Sequence, residues 1–280
     1  LNSFGEKMKE TGGKLTAAGK TIMPLSAAVV GIGTAAAVSA VDFEDAMAKV
    51  STIADTTEVP LDELRSQILS LSSQTGISAS EIADNVYNAI SAGQKTGDAV
   101  NFVTNSTKLA KAGFADAGAA LDVLTTILNA YGMEASEVTN VSDMLIQTQN
   151  LGKTTVAELS SSMGKVIPTA NACNVQLDQL CAGYAKMTAN GVATAESTTY
   201  MNSMLNELGK SGTTVSDILK ERTGKSFAEL MENGESLADV LSVLKESADE
   251  QNLSFGDLWS SAEAGKAGLI LLGESADDFN

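Results

Sequence analysis

The stretch ALDVLTTILNAYG, Ala120 to Gly132, carries the clearest indication of the fold. Its large apolar residues recur every three or four positions, which is the spacing of one face of an α-helix. Gly132 follows the last of them, and glycine readily adopts the left-handed conformation that ends a helix. The stretch therefore predicts a short amphipathic helix that stops at Gly132.

The same pattern extends along the chain in both directions. Glycines follow at intervals of 17, 20, 19, 20 and 39 residues: Gly76, Gly93, Gly113, Gly132, Gly152 and Gly191. The last interval is twice the others, and Asn171 and Asn174 fall near its middle, where asparagine is the next-best residue for a left-handed cap. Each segment between these positions predicts a helix of about 15 residues, roughly 22 Å long.

Sequence signals for helix starts agree with these stops. Ser78 with Glu81, Thr155 with Glu158, and Ser226 with Glu229 have the spacing of a capping box. Pro60 suits the first turn of the helix that it opens. We therefore expect Gly76, Ser78, Glu81, Gly93, Gly113, Gly132, Gly152, Thr155, Glu158 and Gly191 to form helix caps and turns.

Composition supports an all-α fold. Aromatic residues make up 4% of the chain, only three prolines occur, and no window shows the sustained alternation of a half-buried strand. The chain predicts an irregular bundle of short antiparallel helical hairpins preceded by an apolar helix rich in small residues. A solenoid is the alternative, because Gly113–Gly152 and Gly152–Gly191 are units of equal length. The residue identities of these units match poorly, which favours the bundle.

Charge divides the chain unevenly. The net charge is −17, yet residues 1–41 hold four Lys against two Glu, a balance of +2. The remainder carries 14 basic against 33 acidic residues, a balance of −19. Because binding to a phosphate backbone depends on clustered Lys and Arg, no direct nucleic-acid binding is expected.

The segment from Thr21 to Val41 is uncharged and precedes an acidic cluster. Its larger apolar residues are Ile22, Leu25, Val29, Val30, Ile32, Val38 and Val41. A signal peptide, a transmembrane helix and a buried inter-subunit or inter-domain helix are three interpretations. The run is longer than a usual signal core, while Pro24 and the many Ala and Gly residues weaken the transmembrane interpretation. Small residues favour close helix packing, so the segment is a candidate for membrane insertion or for subunit contact.

Amino-acid composition and charge suggest that the chain has three regions. Residues 1–41 form the basic and apolar N-terminal helix, 42–209 the helical-hairpin core domain, and 210–280 a smaller helical C-terminal region. The linker that begins the third region, GKSGTTVSD, is rich in flexible residues.

No motif for catalysis, cofactor or metal binding emerges. The chain has no histidine, which excludes Ser-His-Asp and Cys-His catalysis, and Cys173 and Cys181 lack zinc-ligand spacing. Within one helix their Cα atoms would be about 12 Å apart, so two free, buried thiols are expected. We expect Trp259, the single tryptophan, to be a core residue and not part of an aromatic surface that binds sugars. We expect no enzymatic activity and no cofactor.

Longer stretches resemble the conserved core of tail tape measure proteins of tailed bacteriophages. The resemblance begins in the N-terminal segment, includes VDFEDAMAKVSTIA and LRSQILSLSSQTGISASEIADNVYNAISAG, and continues through ALDVLTTILNAYGMEASEVTNVSDMLIQTQNLGKTTVAELSSS to MNSMLNEL. It covers about residues 5–210 in order, and residues 211–280 less closely. Its specificity comes from length, because no single motif within it is a catalytic fingerprint.

This resemblance implies a structural component of a phage or phage-tail-like particle. Tape measure proteins lie inside the tail tube and tip, govern tail assembly and length, and leave ahead of the DNA to help it cross the host envelope. The implied partners are further copies of the chain, three in the family, together with tail tube and tip proteins, assembly chaperones and the host envelope. The implied location is the virion, after synthesis in the bacterial cytoplasm. At this length the chain is expected to be a fragment of a longer protein.

Two other functions remain open on sequence grounds. An α-helical pore-forming or envelope-inserting protein would use Thr21–Val41 as its inserting element. An intracellular helical scaffold would have no membrane role.

Overall fold

A computed structural model describes the backbone of residues 34–273 and the side chains of residues 39–273. All regular elements of this part of the chain are helical and no strand occurs in it, which confirms the all-α prediction. The α-helices, numbered in chain order, are α1 (Thr34–Ile53), α2 (Leu61–Thr75), α3 (Ala79–Ser91), α4 (Thr96–Ala112), α5 (Ala117–Tyr131), α6 (Val138–Leu151), α7 (Val156–Ser162), α8 (Ile167–Ala172), α9 (Leu177–Ala189), α10 (Thr194–Gly209), α11 (Thr214–Thr223), α12 (Phe227–Glu232), α13 (Leu237–Glu250) and α14 (Ala262–Leu272). Short 3₁₀ turns lie at Ala135–Glu137, Met163–Lys165 and Phe255–Leu258.

Four helical hairpins stack in chain order: α2 with α3, α4 with α5, α6 with α7 and α8, and α9 with α10. The first helices of these hairpins form layer A, in which α2 packs on α4, α4 on α6 and α6 on α9. Their second helices form layer B, in which α3 packs on α5, α5 on α7 and α8, and these two on α10. The hairpins are thus arranged as in a solenoid, although the low identity between the repeated units favours an irregular bundle on sequence grounds.

The turns between helices meet at two opposite edges of the stack. At the first, which we call the Gly113 edge, Lys111 Nζ donates a hydrogen bond to the Thr75 carbonyl (2.8 Å), and the amide of Lys153 donates one to Thr188 Oγ1 (3.1 Å). The residues at this edge are 76–78, 113–116, 152–155 and 190–193.

The opposite edge, which we call the Gly132 edge, is joined in the same way. Asn129 Nδ2 donates to the Ala92 carbonyl (2.8 Å) and the Tyr131 hydroxyl to the Val175 carbonyl (3.1 Å). The turns here are residues 54–60, 92–95, 132–137 and 173–176. Successive hairpins are therefore held together at both ends.

Gly113 and Gly152 allow neighbouring hairpins to approach closely. Both end their helices, but with φ of −95° and −102° instead of a left-handed conformation. A Cβ at Gly113 would lie 2.4 Å from Val156 Cγ2, and one at Gly152 would lie 2.4 Å from Thr188 Oγ1. The regular glycine spacing thus reflects contact between hairpins at these two positions, which needs no further similarity between the repeated units.

The helix α1 covers one end of the stack. Its buried residues Phe43, Met47 and Val50 belong to the main apolar core, and α1 packs mainly on α3. Glu44 accepts hydrogen bonds from both guanidinium NH groups of Arg65 on α2, one of them 2.9 Å long. This helix thereby covers an apolar face that a first hairpin would otherwise expose.

The helix α14 covers the other end. It packs on α10 and α9, and the preceding turn is fixed by Glu207 of α10. The Glu207 carboxylate accepts from the amides of Ser260 (2.7 Å) and Ser261 (2.9 Å) and from the Ser261 hydroxyl (2.8 Å). One apolar core runs from Phe43 to Leu271, on both sides of the predicted boundary at residue 209. The division into three regions stays a prediction.

Candidate functional site

The apolar segment predicted for membrane or subunit contact lies largely outside the described residues. This holds for Ile22, Leu25, Val29, Val30 and Ile32 and for the side chain of Val38. Val41, at its end, lies in α1 and is 59% exposed, while Phe43 two residues later is buried. The role of this segment therefore stays a prediction.

Within residues 34–273, no helix is both long enough and apolar enough to cross a bilayer. The same part of the chain contains no cluster of Cys, Asp and Glu side chains that could hold a metal ion.

Left-handed residues lie at most of the predicted turns. Gly76 (φ 75°) and Gly132 (φ 63°) cap α2 and α5, and Gly93 (φ 102°) and Gly191 (φ 89°) follow the caps of α3 and α9. In the long gap between glycines, Asn174 takes the left-handed conformation with φ 59°.

The helix starts differ in how completely they are capped. Thr155 and Glu158 form a reciprocal capping box at α7, and so do Ser226 and Glu229 at α12. Ser78 Oγ accepts the amide of Glu81 at 3.2 Å, but the reciprocal bond is not formed. Two further reciprocal boxes begin at Thr213 and Ser236. Sequence reasoning missed them because their third helical residues are Ser216 and Asp239 instead of Glu or Gln.

The contacts of Glu158 also join two hairpins. Its carboxylate Oε2 accepts from the Thr155 amide (3.1 Å) and from Thr194 Oγ1 at the start of α10 (3.1 Å). Thr154 and Thr194 hydroxyls lie 2.8 Å apart in the same buried position. The capping box thus helps to hold the Gly113 edge together.

A groove lies in layer A, between α6 and α9. We call it the α6–α9 groove; its volume is about 340 Å³. Its lining comprises Asn140, Asp143, Met144, Gln147, Thr148 and Leu151 of α6 and Asp178, Cys181, Ala182 and Ala185 of α9. Leu151 is 65% exposed, whereas Cys181 and Ala185 form a buried floor.

The groove differs from one end to the other. Both helices begin at the Gly132 edge, where Asp143 and Asp178 contribute exposed carboxylates. Both helices end at the Gly113 edge, where Leu151 and Ala185 contribute apolar surface, next to the uncharged polar side chains of Gln147 and Thr148. The groove therefore combines an acidic end with an apolar end. Sequence reasoning missed it because alanines at 182 and 185 are ordinary helix residues; only their pairing with Gly152 would have indicated a depression.

Both thiols are unpaired and buried, as predicted. Burial is the main cause that raises the pKa of Cys181 from its ordinary 9.0 to about 11 and that raises the pKa of Cys173. Cys173 lines a second cavity, between α8 and α10, where its Sγ donates to the Leu205 carbonyl at 3.7 Å. Neutral, enclosed thiols at physiological pH are poor nucleophiles.

Phe114 is a further feature that the sequence did not indicate. It is 90% exposed at the Gly113 edge and has a φ of 51°, a left-handed conformation that is costly for a bulky residue. Trp259 is buried as predicted, and its ring packs edge to face with Phe255 at 5.7 Å.

Comparisons with known proteins give a consistent result. Residues 65–266 match the family described as "Phage-related minor tail protein". The "Probable tape measure protein" of Clostridium phage phiCD119 is 40% identical over 212 residues, which is 72% of this chain and 22% of that protein. The "Tape measure protein" of Pneumococcus phage Dp-1 is 23% identical over 168 residues, 60% of this chain and 14% of that protein.

No solved structure gave a significant match to the chain. The chain spans about a fifth or less of the length of these two relatives. The family match begins within α2 and ends within α14, so it covers the four hairpins except for residues 61–64. The chain therefore belongs to the family of phage-related minor tail proteins, and it is similar to tape measure proteins.

Proposed function

We propose that this chain is a segment of a tape measure protein, housed in the tail tube or tip of a phage or phage-tail-like particle. There it contributes to tail assembly and length, and it leaves before the DNA to help it pass the host envelope. The supporting observation is the 40% identity to a tape measure protein over 212 residues in chain order.

Membership of the family supports the general role in this proposal. The chain is a structural component of the phage tail, located in the virion, and not an enzyme. The finer part concerns ejection, envelope passage and the partners: further copies of the chain, tail tube and tip proteins, and assembly chaperones.

The structure supports a segment that is folded rather than extended. Fully helical, residues 34–273 would span about 360 Å, whereas stacked helices lie only 8–10 Å apart. The four hairpins of this stack thus cover a small fraction of that length. We infer that the length-measuring part lies elsewhere in the longer protein.

Mass spectrometry of purified virions tests location and ejection together. Peptides from residues 34–273 should be present in intact particles and depleted, relative to the tail tube protein, in particles that have released their DNA. Peptides retained at full ratio in emptied particles, or absent from intact ones, would contradict the proposal.

Dye release from anionic lipid vesicles tests the envelope role of Thr21–Val41. The full chain should release dye, and Val29→Asp and Val30→Asp should both reduce the release, because a charge within an inserting helix is costly whichever side it lies on. Equal release by all three chains, or none by the full chain, would remove this part of the proposal.

A further inference from the structure

The α6–α9 groove has the dimensions of a site for one face of a short helix. Its α6 wall runs from Asn140 to Leu151, which lie eleven positions or about 16 Å apart along the helix axis. Its floor is formed by small or buried side chains, among them Cys181 and Ala185. Three apolar side chains on successive turns of a second helix would fit along this length.

The polarity of the groove indicates the chemistry of its occupant. The charged side chains of its lining, Asp143 and Asp178, are both acidic and both lie near the Gly132 edge. An occupant that is positively charged at one end and apolar along the rest matches both ends.

One segment of this chain has that composition. Thr21–Gly33 is uncharged and apolar, and it directly follows Lys20 in a region of net charge +2. Leu25, Val29 and Ile32 have the spacing of one helical face and would span about 10 Å. Charge complementarity and length therefore both favour this segment.

The position of α1 prevents the segment from reaching the groove of its own copy. The helix begins at Thr34, immediately after the segment, and packs on α3 in the first hairpin. The groove lies between the third and fourth hairpins, so that α4 and α6 intervene. With 8–10 Å between packed helices, the distance from the first hairpin to the groove is about 20 Å. The segment is directly followed by α1, so no linker residues remain to span this distance.

We propose that Thr21–Gly33 of one copy docks in the α6–α9 groove of a second copy. Lys20 then lies near Asp143 and Asp178, and Leu25, Val29 and Ile32 contact Met144, Leu151 and Ala182. The inference rests on the proposed self-association of the chain and identifies the surface that mediates it. Because segment and groove are different surfaces, the contact is head-to-tail and closes as a ring or continues as a filament.

Disulfide trapping between copies tests the contact. In a full chain carrying Cys173→Ser and Cys181→Ser, one population receives Val29→Cys and another Ala182→Cys. After mixing under mild oxidation, a covalent dimer should form at least about tenfold faster than with the matched Val30→Cys, because position 30 is turned about 100° away on a helix. Equal rates for positions 29 and 30, or no covalent dimer, would overturn the inference.

Association measurements with charge variants give an independent readout. By sedimentation, Ala182→Glu and Val29→Asp should each weaken association roughly tenfold, because an unpaired charge would be buried. Val30→Asp and Ala112→Glu, the latter on exposed α4 surface, should leave association unchanged. Circular dichroism establishes that each variant is folded.

These outcomes separate this inference from the proposed function. A chain that self-associates without sensitivity to Ala182→Glu retains its function and loses the groove contact. A chain that is monomeric at all concentrations contradicts self-association itself. The membrane role differs again, since it predicts equal effects of Val29→Asp and Val30→Asp.

Discussion

At the scale of single residues, backbone conformation and close approach matter more than chemical reactivity. Phe114 shows this most directly, because it combines a left-handed backbone with a side chain that contacts little of the stack. All other left-handed residues in the described turns are Gly or Asn, for which this conformation costs little.

Replacing Phe114 with glycine should stabilise the chain. Relief of the left-handed strain, about 1–2 kcal/mol, outweighs the loss of backbone entropy that glycine brings, for a net gain of about 1 kcal/mol. Urea denaturation gives the change in unfolding free energy. Asn174→Gly is the control: it should show no gain, because Asn174 Nδ2 donates to the Ala228 carbonyl at 3.2 Å. An unchanged or lower stability of Phe114→Gly would contradict this account of the turn.

Cys181 predicts a loss of stability at alkaline pH. Its thiol has a pKa near 9.0 when unfolded and about 11 when folded, since burial disfavours the thiolate. The contribution of the Cys181 thiol to the free energy of unfolding is fully present below pH 9 and decreases as the pH rises towards 11. The reason is that this thiol loses its proton at lower pH in the unfolded chain than in the folded chain. Burial also raises the pKa values of Tyr131 and Tyr184, which extends the loss to higher pH.

Urea midpoints measured between pH 8 and 10.5 test this effect. Cys181→Ala should show a smaller decrease across this interval than the parent chain, whatever its stability at pH 8. Parallel decreases in both chains would show that Cys181 does not contribute.

At the scale of helices, the Gly113 edge depends on how closely two backbones approach. Gly152→Ala should be destabilising by about 1–3 kcal/mol, because its Cβ would lie 3.0 Å from the Ala185 Cα, a backbone atom that cannot move aside cheaply. Gly164→Ala is the matched control, since a Cβ there meets nothing within 4 Å. It should be neutral or stabilising by a few tenths of a kcal/mol. Thermal denaturation of both variants checks the difference, and equal effects would contradict the packing.

The C-terminal helix α14 depends on one carboxylate. Glu207→Gln keeps the shape of the side chain but removes the charge that accepts three hydrogen bonds from Ser260 and Ser261. Amide exchange in Ala262–Leu272 should become about tenfold faster, and exchange in α2 to α5 should not change. Glu263→Gln, at an exposed position of α14, serves as control. Uniform acceleration along the chain would mean that Glu207 supports the whole fold instead of this end.

These elements also show what sequence could predict. The spacing of apolar residues, together with glycine and serine at the helix ends, predicts the helices around Leu64, Val86 and Leu124. These helices could be predicted because they depend on interactions within a few residues. The order of stacking was not predictable in the same way. It depends on contacts such as Gly152 with Ala185, between residues 33 positions apart, which leave no local pattern.

The candidate site, too, could be predicted from the sequence only in part. Composition alone excludes the catalytic arrangements that require histidine, because the chain contains none. The α6–α9 groove could not be found, because it arises from the meeting of small side chains on two separate helices. The apolar segment was visible in the sequence, but the surface that could receive it was not.

At the scale of the whole molecule, residues 61–209 form an ordered stack of hairpins, which α1 and α14 cover at its two ends. Such a stack gains stability mainly from contacts between neighbouring hairpins. The order in which the hairpins stack therefore determines which surfaces the molecule exposes.

A single distance measures that order most directly. Spin labels at Asp62→Cys and Asp178→Cys, in a chain with Cys173→Ser and Cys181→Ser, mark the starts of α2 and α9 at the Gly132 edge. Three steps between packed helices predict a separation of about 24–30 Å by dipolar spectroscopy. A separation of about 10 Å, as for two helices in direct contact within a closed bundle, would contradict the stack.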